Sequence, residues 1–222
     1  MTLSNMGCYG RSGQNATNKA FKSDSQRLAV SLRSSIAKRC SHLNAALYAL
    51  EEMDNSMIET ERLILSPVTS EDSDIYTKLL TCAETTRYLP GGKPFSSEYI
   101  QNYVPSKVAH WSKGYGTFIV ALKSKPSQKI GYAGVELVPD SSFSDIRYAL
   151  LSQYQGKGYA FEASKAVLNF TLESGLVSEV YGVAVIENLA SEKLLRKLGM
   201  QESTERLYDS DDLVTLSTQA RI

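Results

Sequence analysis

Histidine and cysteine are both scarce. His42 and His110 are the only imidazoles in 222 residues, and Cys8, Cys40 and Cys82 are the only thiols. The cysteines are far apart and odd in number, and no metal-ligand spacing surrounds them, so no metal site and no disulfide framework is expected. The thiols read as reduced and structural, which fits a reducing, cytoplasmic compartment. Cys82 has no histidine near it in sequence to serve a covalent nucleophile. An excess of one charge is missing too: 24 basic side chains face 24 acidic ones, and the pI is about 6.7. A nucleic-acid binder would show a basic stripe, so nucleic acid is not an expected partner. No apolar run approaches the length that crosses a bilayer, so no membrane is expected either. Internal repeats are absent.

What is present is an apolar fraction of 42%, that of a globular chain able to bury a core. The length suits one domain and an appendage. Residues 1 to 56 differ in composition from the rest. Their basic residues, from Arg11 to Arg39, face one acid, Asp24, before Glu51. The part up to Ser25 is rich in Gly, Ser and Asn and is expected to be disordered. Leu28, Leu32, Ile36, Leu43, Leu47 and Leu50 can form a helical stripe. Three readings fit this segment: an Arg/Ser-rich leader, an accessory helix docked on the domain, or upstream sequence not normally part of the protein. Met57 opens Met-Ile-Glu-Thr-Glu-Arg-Leu-Ile-Leu as a natural start would. The active domain is therefore placed at 57–222, and 1–56 is set apart as an N-terminal extension.

Along the domain, Arg62 to Ser66 reads as a strand stopped by Pro67. Thr69 or Ser70 caps a helix carrying Ile75, Leu79 and Leu80. Tyr88-Leu89-Pro90-Gly91-Gly92 is a loop by its breakers. Ser96 or Ser97 caps a second helix that Pro105 should kink or split and Gly114 should end. His110 and Trp111 near its end read as packing groups. Gly116–Leu122 and Ile130–Leu137 are strands joined through Ser124–Gln128, and Asp140–Ser144 is a turn. Val180–Ile186 is a continuous apolar strand, which implies a buried parallel neighbour. Asn188 caps a last helix with Leu194, Leu195 and Leu198 inward and Gly199 at its end. Thr204 to Ser217 gives two short strands around an acidic turn at Asp209–Asp212, which reads as solvated.

The chain is organised around Asp145 to Gly175. A short apolar strand is followed by Gln153-x-x-Gly156-x-Gly158, and then by a helix with Ala163, Ala166, Val167 and Phe170 on one face. The glycines leave no side chain between backbone and ligand. The free N–H groups of the helix's first turn, with the dipole behind them, favour an anion. The reading is a strand–loop–helix that cradles a phosphate or pyrophosphate; a tight turn with two glycines is the other. A P-loop is excluded because Gly158, not Ser or Thr, follows Lys157. A dinucleotide fingerprint is excluded because Phe161 occupies the place of its third small residue.

Taken with Asn188-x-x-Ser191-x-x-Leu194-x-x-Lys197-x-Gly199-Met200, this loop resembles the GNAT superfamily of acyl-CoA-dependent N-acetyltransferases. Thr60-Glu61-Arg62-Leu63, Tyr88 to Pro94, Ile130-Gly131-Tyr132-Ala133-Gly134 and Asp145-Ile146-Arg147-Tyr148 resemble its ribosomal-protein N-terminal acetyltransferase subgroup. The resemblance covers residue 59 to the C-terminus. It implies an α+β fold: a mixed, twisted, mostly antiparallel sheet whose two central parallel strands splay apart, flanked by helices. It implies acetyl-CoA as co-substrate, with its pantetheine arm in the splay and its pyrophosphate on the backbone of Gln155, Gly156, Lys157, Gly158, Tyr159 and Ala160, next to Gln153. Backbone groups of Tyr148, Ala149 and Leu150 would pair with the pantetheine like an added strand, and Asn188 would reach it from the other side. The reaction is direct attack of an amine on the thioester. Ser191 is the candidate acid for the leaving thiolate, and its other role is a polar residue of a first helical turn. Asp145 is the candidate base, with Glu205 or a water chain as alternatives, and an ordinary surface carboxylate as its other reading. Two positions depart from the subgroup. Arg147 stands in place of glycine and should pair with Asp145, holding it ionised. Gln155 replaces tryptophan. Arg147 also supports a rival reading, a non-catalytic acyl-CoA-binding module. The acceptor stays open between a protein N-terminus and a small-molecule amine, and a homodimer is allowed.

Overall fold

Leu63 and Leu65, two residues apart, are both fully buried, so one side of the first long strand faces the core. The computed structural model describes residues 56–89 and 91–218. Cys8, Cys40, His42 and the stripe from Leu28 to Leu50 lie outside the described residues. The strands are β1 Ile58–Glu59, β2 Leu63–Pro67, β3 Thr117–Leu122, β4 Lys125–Leu137, β5 Ser144–Leu150, β6 Tyr181–Val185, β7 Gln201–Glu202 and β8 Leu213–Ser217. They form one sheet in the order β1-β2-β3-β4-β5-β6-β8-β7. Every neighbouring pair is antiparallel except β5 with β6. The helices are α1 Ser73–Leu80, α2 Ala83–Thr86, α3 Ser97–His110, α4 Tyr159–Glu173 and α5 Leu189–Lys197. The expected α+β architecture is present, with helices on both sides of a mixed, mostly antiparallel sheet.

Strand parity divides the core in two. Ile119 and Tyr132 pack with Ile75, Leu79 and Val104 of α1 and α3. On the opposite side Phe118, Ala133, Ile146 and Leu150 pack with Ala163, Val167 and Leu195 of α4 and α5. Burying each such leucine or isoleucine contributes about 1.5–3 kcal/mol. The inward stripe of α4 is Ala163, Ser164, Val167, Leu168 and Thr171, rotated from the expected face, with Ala166 and Phe170 only half-buried. Thr171 can turn inward because its hydroxyl donates to Val167 O within the helix at 2.9 Å.

Several boundaries differ from those expected, each for a local reason. Pro67 is the last residue of β2 rather than a stop before it. Val68 N–H donates to Thr117 O, so the ring nitrogen of Pro67 points away from β3, where β1 no longer runs alongside. The hairpin between β3 and β4 turns on Lys123 and Ser124. Pro126–Gln128 bulge between the pairs Leu122↔Lys125 and Ala121↔Lys129. Pro105 does not split α3; it lies on the exposed side, where water can serve the freed carbonyl. Ile186, 53% exposed, lies beyond the end of β6. The first strand of the tail, β7, precedes Thr204. The feature that matters for function is central. β5 and β6 are paired at the single register Asp145↔Tyr181, and from there the two parallel strands diverge.

Candidate active site

The glycine loop leads from β5, through a 3-10 turn at Ser152–Tyr154, into α4. Gly156 has φ 71° and Gly158 φ 81°, a region that favours glycine. A β-carbon on Gly156 would meet nothing within 4 Å, and one on Gly158 would meet only Arg62 Nη2, at 3.4 Å. The loop backbone is therefore open on one side. The first α4 amide bonded back toward the helix start is that of Glu162, to Gly158 O at 3.1 Å. The amides before it, in the first turn, have no carbonyl behind them within the helix. Gln155 turns its side chain back, donating from Nε2 to Leu150 O at 2.8 Å. Gln153, Gln155, Gly156, Lys157 and Gly158 are exposed, and Tyr159 and Ala160 half-buried. Exposed backbone amides at the start of a helix are the groups that favour an anion.

Beyond Asp145↔Tyr181 the β6-facing edge of β5 has no ladder partner in the sheet. Leu151 N–H donates to Ile130 O, so by alternation the N–H and C=O of Ala149 face β4. Those of Tyr148 and Leu150 face the gap toward β6. Of the three expected backbone contacts, Ala149 is thus turned away by its own pairing, and the carbonyl of Leu150 is already engaged by Gln155. Across the gap, Asn188 Oδ1 accepts the N–H of Ser191 at 3.2 Å, capping α5. Its side-chain amide nitrogen is left for other work. The Tyr148 hydroxyl lies 2.7 Å from Ser191 Oγ, a bridge from β5 to α5. Burial pushes the Tyr148 phenol up to about 12, so it is a neutral group able to donate.

Asp145 is three residues from Tyr148 and so lies on the opposite face of the sheet from Ser191. It is 5% exposed, not a surface carboxylate. Its Oδ2 accepts from Arg147 Nε at 3.3 Å and from the Tyr208 hydroxyl at 2.8 Å, and Arg147 Nη2 donates to the same Tyr208 oxygen at 2.8 Å. Oδ1 is buried and has no hydrogen-bond partner among the described residues. Burial raises the Asp145 pKa to about 6; Arg147 and the Tyr208 hydrogen bond oppose the rise without cancelling it. The expected pair with Arg147 exists, but it does not hold the carboxylate in the ordinary acidic range. Beside it, buried Glu136 pairs with Lys107 and accepts from Thr117 Oγ1 at 2.7 Å. Burial works against the Glu136 charge, yet Lys107, the Thr117 hydrogen bond and Arg147 together more than offset this and the pKa is lowered. From α3, Tyr99 stacks between Phe95 and Tyr103, with centroids at 4.5 and 5.4 Å. Glu205 is exposed. Asp209 and Asp211 are solvated, with Arg206 alongside. His110 accepts from Leu137 N–H and contacts Tyr115 O, a packing role as expected.

Sequence reasoning missed Glu136, Lys107 and Tyr208. Glu136 faces Asp145 only through the β4–β5 register, and Tyr208 arrives from the β7–β8 loop, so no local pattern marks them.

A family model for the acetyltransferase (GNAT) domain matches residues 62–201. The chain belongs to the GNAT acetyltransferase family. Acetyl transfer is this family's general reaction, and acetyl-CoA its donor. The GNAT chain is 24% identical over 147 residues to the uncharacterised N-acetyltransferase YoaA of Bacillus subtilis, covering 66% of this chain and 83% of the relative. Its fold is similar to that of an Agrobacterium tumefaciens acetyltransferase (TM-score 0.66, 20% identity, 73% of this chain and 94% of that one). It is also similar to RimL, a ribosomal L7/L12 α-N-protein acetyltransferase solved with coenzyme A (TM-score 0.61, 16% identity, 73% and 97%). Among the described residues of this GNAT chain, no helix is long and apolar enough to cross a membrane.

Proposed function

We propose that this GNAT enzyme acetylates a primary amine, a protein N-terminus or a small-molecule amine, by direct attack within a ternary complex. Acetyl-CoA, when bound, supplies the activated acetyl group as a thioester. The loop from Gln155 to Ala160 binds the diphosphate through backbone N–H groups. Tyr148 and Leu150 offer strand N–H groups to the arm in the gap, and Asn188 faces it from α5. Asp145 is the base that takes the amine's proton as the N–C bond forms. As the C–S bond breaks, Ser191 Oγ gives its proton to the departing sulfur. Tyr148, at 2.7 Å, relays a proton from solvent to Ser191, so that both hydroxyls end the cycle neutral. The observation that supports an amine acceptor best is Asp145 Oδ1, a buried acceptor atom with no donor among the described residues, on the strand that borders the gap.

The test is a panel of amines and N-terminal peptides with acetyl-CoA, followed by thiol release and by acetylated product. Transfer to at least one amine is expected. Gly158→Val puts a branched side chain at φ 81° in the diphosphate cradle. It should abolish CoA binding in calorimetry while a thermal melt shows the fold intact. Lys157→Ala should weaken binding far less, because backbone groups make the main contacts. A folded Gly158→Val protein that binds CoA normally would remove the loop from the site.

A further inference from the structure

Thr60-Glu61-Arg62-Leu63 lies about a hundred residues before the glycine loop, and the mechanism above makes no use of it. In the fold this turn meets the start of α4. Glu162 Oε1 accepts from the Thr60 hydroxyl at 2.6 Å and from the backbone N–H of Arg62 at 2.8 Å. Glu162 Oε2 accepts from Arg62 Nε at 2.7 Å and pairs with Nη2 at 2.7 Å. The remaining arm of the guanidinium, Nη1, donates to Lys157 O at 3.1 Å. Its central carbon lies over the Tyr159 ring, 4.5 Å from the centroid. Thr60 Oγ1 accepts from Leu63 N–H at 3.0 Å, so the turn that carries Arg62 is itself closed. One side chain thus holds positions 157, 159 and 162 together.

Stability does not explain this arrangement. The Arg62 side chain is 42% exposed, and exposed ion pairs contribute little after screening and side-chain entropy. Its effect is on orientation. In a trans peptide the C=O and the following N–H point in opposite directions. Holding Lys157 O toward Arg62 therefore turns the Gly158 N–H to the other side, away from the guanidinium. The left-handed φ of Gly158 is set at the same place, with Arg62 Nη2 only 3.4 Å from where a β-carbon would stand. Arg62 also neutralises Glu162, whose carboxylate in the first turn of α4 would otherwise oppose an anion there. The planar fork is required, because a lysine ammonium cannot bind a carboxylate side-on, reach a carbonyl and stack on a ring together.

We infer that Arg62 is a positioning residue for the donor's diphosphate: it presets the Lys157–Gly158 peptide so that the Gly158 N–H is aimed at the anion before it binds. This rests on the loop being the cofactor site. Calorimetry with CoA on the full-length chain, for wild type, Arg62→Ala, Arg62→Lys and Gly158→Val, tests it. Both Arg62 variants should bind CoA about 10- to 100-fold more weakly, the scale of one hydrogen bond to a charged group, with melting temperatures close to wild type. Acetyl transfer from S-acetyl-N-acetylcysteamine, a thioester without a diphosphate, should be unchanged in both. Wild-type affinity in Arg62→Ala, or in Arg62→Lys, would overturn the inference. So would an equal loss with both donors, which marks general damage. If Gly158→Val binds CoA normally, the loop reading has failed. If Gly158→Val loses binding and Arg62→Ala keeps it, the strap alone has failed.

Discussion

Burying a carboxylate oxygen with no donor beside it costs about 1–3 kcal/mol, and among the described residues Asp145 Oδ1 is in that position. The sequence put Asp145 and Arg147 on one face, which is correct, but it could not show that burial would dominate over the pair. Burial moves the Asp145 pKa from 3.8 to about 6. The folded state thus holds this proton more tightly than the unfolded chain does. The stability that Asp145 contributes is full below the ordinary value and is lost as pH rises through about 6. Glu136, whose pKa is lowered by Lys107, behaves oppositely and loses its contribution as pH falls. A base needs its ionised form, so kcat should be level above pH 6 and fall below it, following the raised Asp145 pKa of about 6. Asp145→Asn should lower kcat by about 10²- to 10⁴-fold and remove that limb of the profile, whereas Glu205→Gln should change neither. An unaltered profile in Asp145→Asn would pass the role to water or another group.

At the scale of elements, the proposed role of Ser191 depends on how α5 is held across the gap from β5. The two strands touch at Asp145↔Tyr181 and then part, so α5 cannot be positioned by β5 through sheet pairing. Side-chain packing and bridging contacts position it instead, two of them at the gap. Gly182 on β6 lets Leu195 pack down, since a β-carbon there would lie 2.4 Å from Leu195 Cδ2. Tyr148 spans from β5 to Ser191 Oγ at 2.7 Å. The pattern Asn188-x-x-Ser191 was legible as a helix start, and the Asn188 cap is present as read. The phenol of Tyr148 was not, because its partner lies 43 residues away and only the splay brings them together. If the two hydroxyls form one proton path, Ser191→Ala and Tyr148→Phe should each lower kcat with little change in CoA affinity. The double variant should then be no worse than the more damaged single one, as expected for groups that act as a unit. Losses that multiply in the double variant would show two independent roles.

At the scale of the whole molecule, the sequence was most readable where chemistry is local. Glycines at 156 and 158, the Ser96 and Asn188 caps and the apolar runs of β3 and β6 each act within a few residues, and each is where the pattern placed it. The register that faces Glu136 with Asp145, and the reach of Thr60 and Arg62 to Glu162, join distant segments and left no trace in any one of them. We propose Met57 as the N-terminal boundary of the domain because of those long-range contacts. β1 pairs Ile58 with Leu65 and Glu59 with Ile64, and Thr60 and Arg62 hold α4 just after it. Every element assigned to donor binding also lies beyond Met57. A chain beginning at Met57 keeps all of these and should fold and bind CoA with the affinity of the full sequence. A chain beginning at Leu63 loses β1 and the Arg62 strap, and should bind at least about tenfold more weakly, a loss of about 1.4 kcal/mol. Calorimetry and thermal melts on the two truncated proteins decide the boundary. If the chain from Met57 is insoluble or binds as poorly as the shorter one, residues before it are an integral part of the domain.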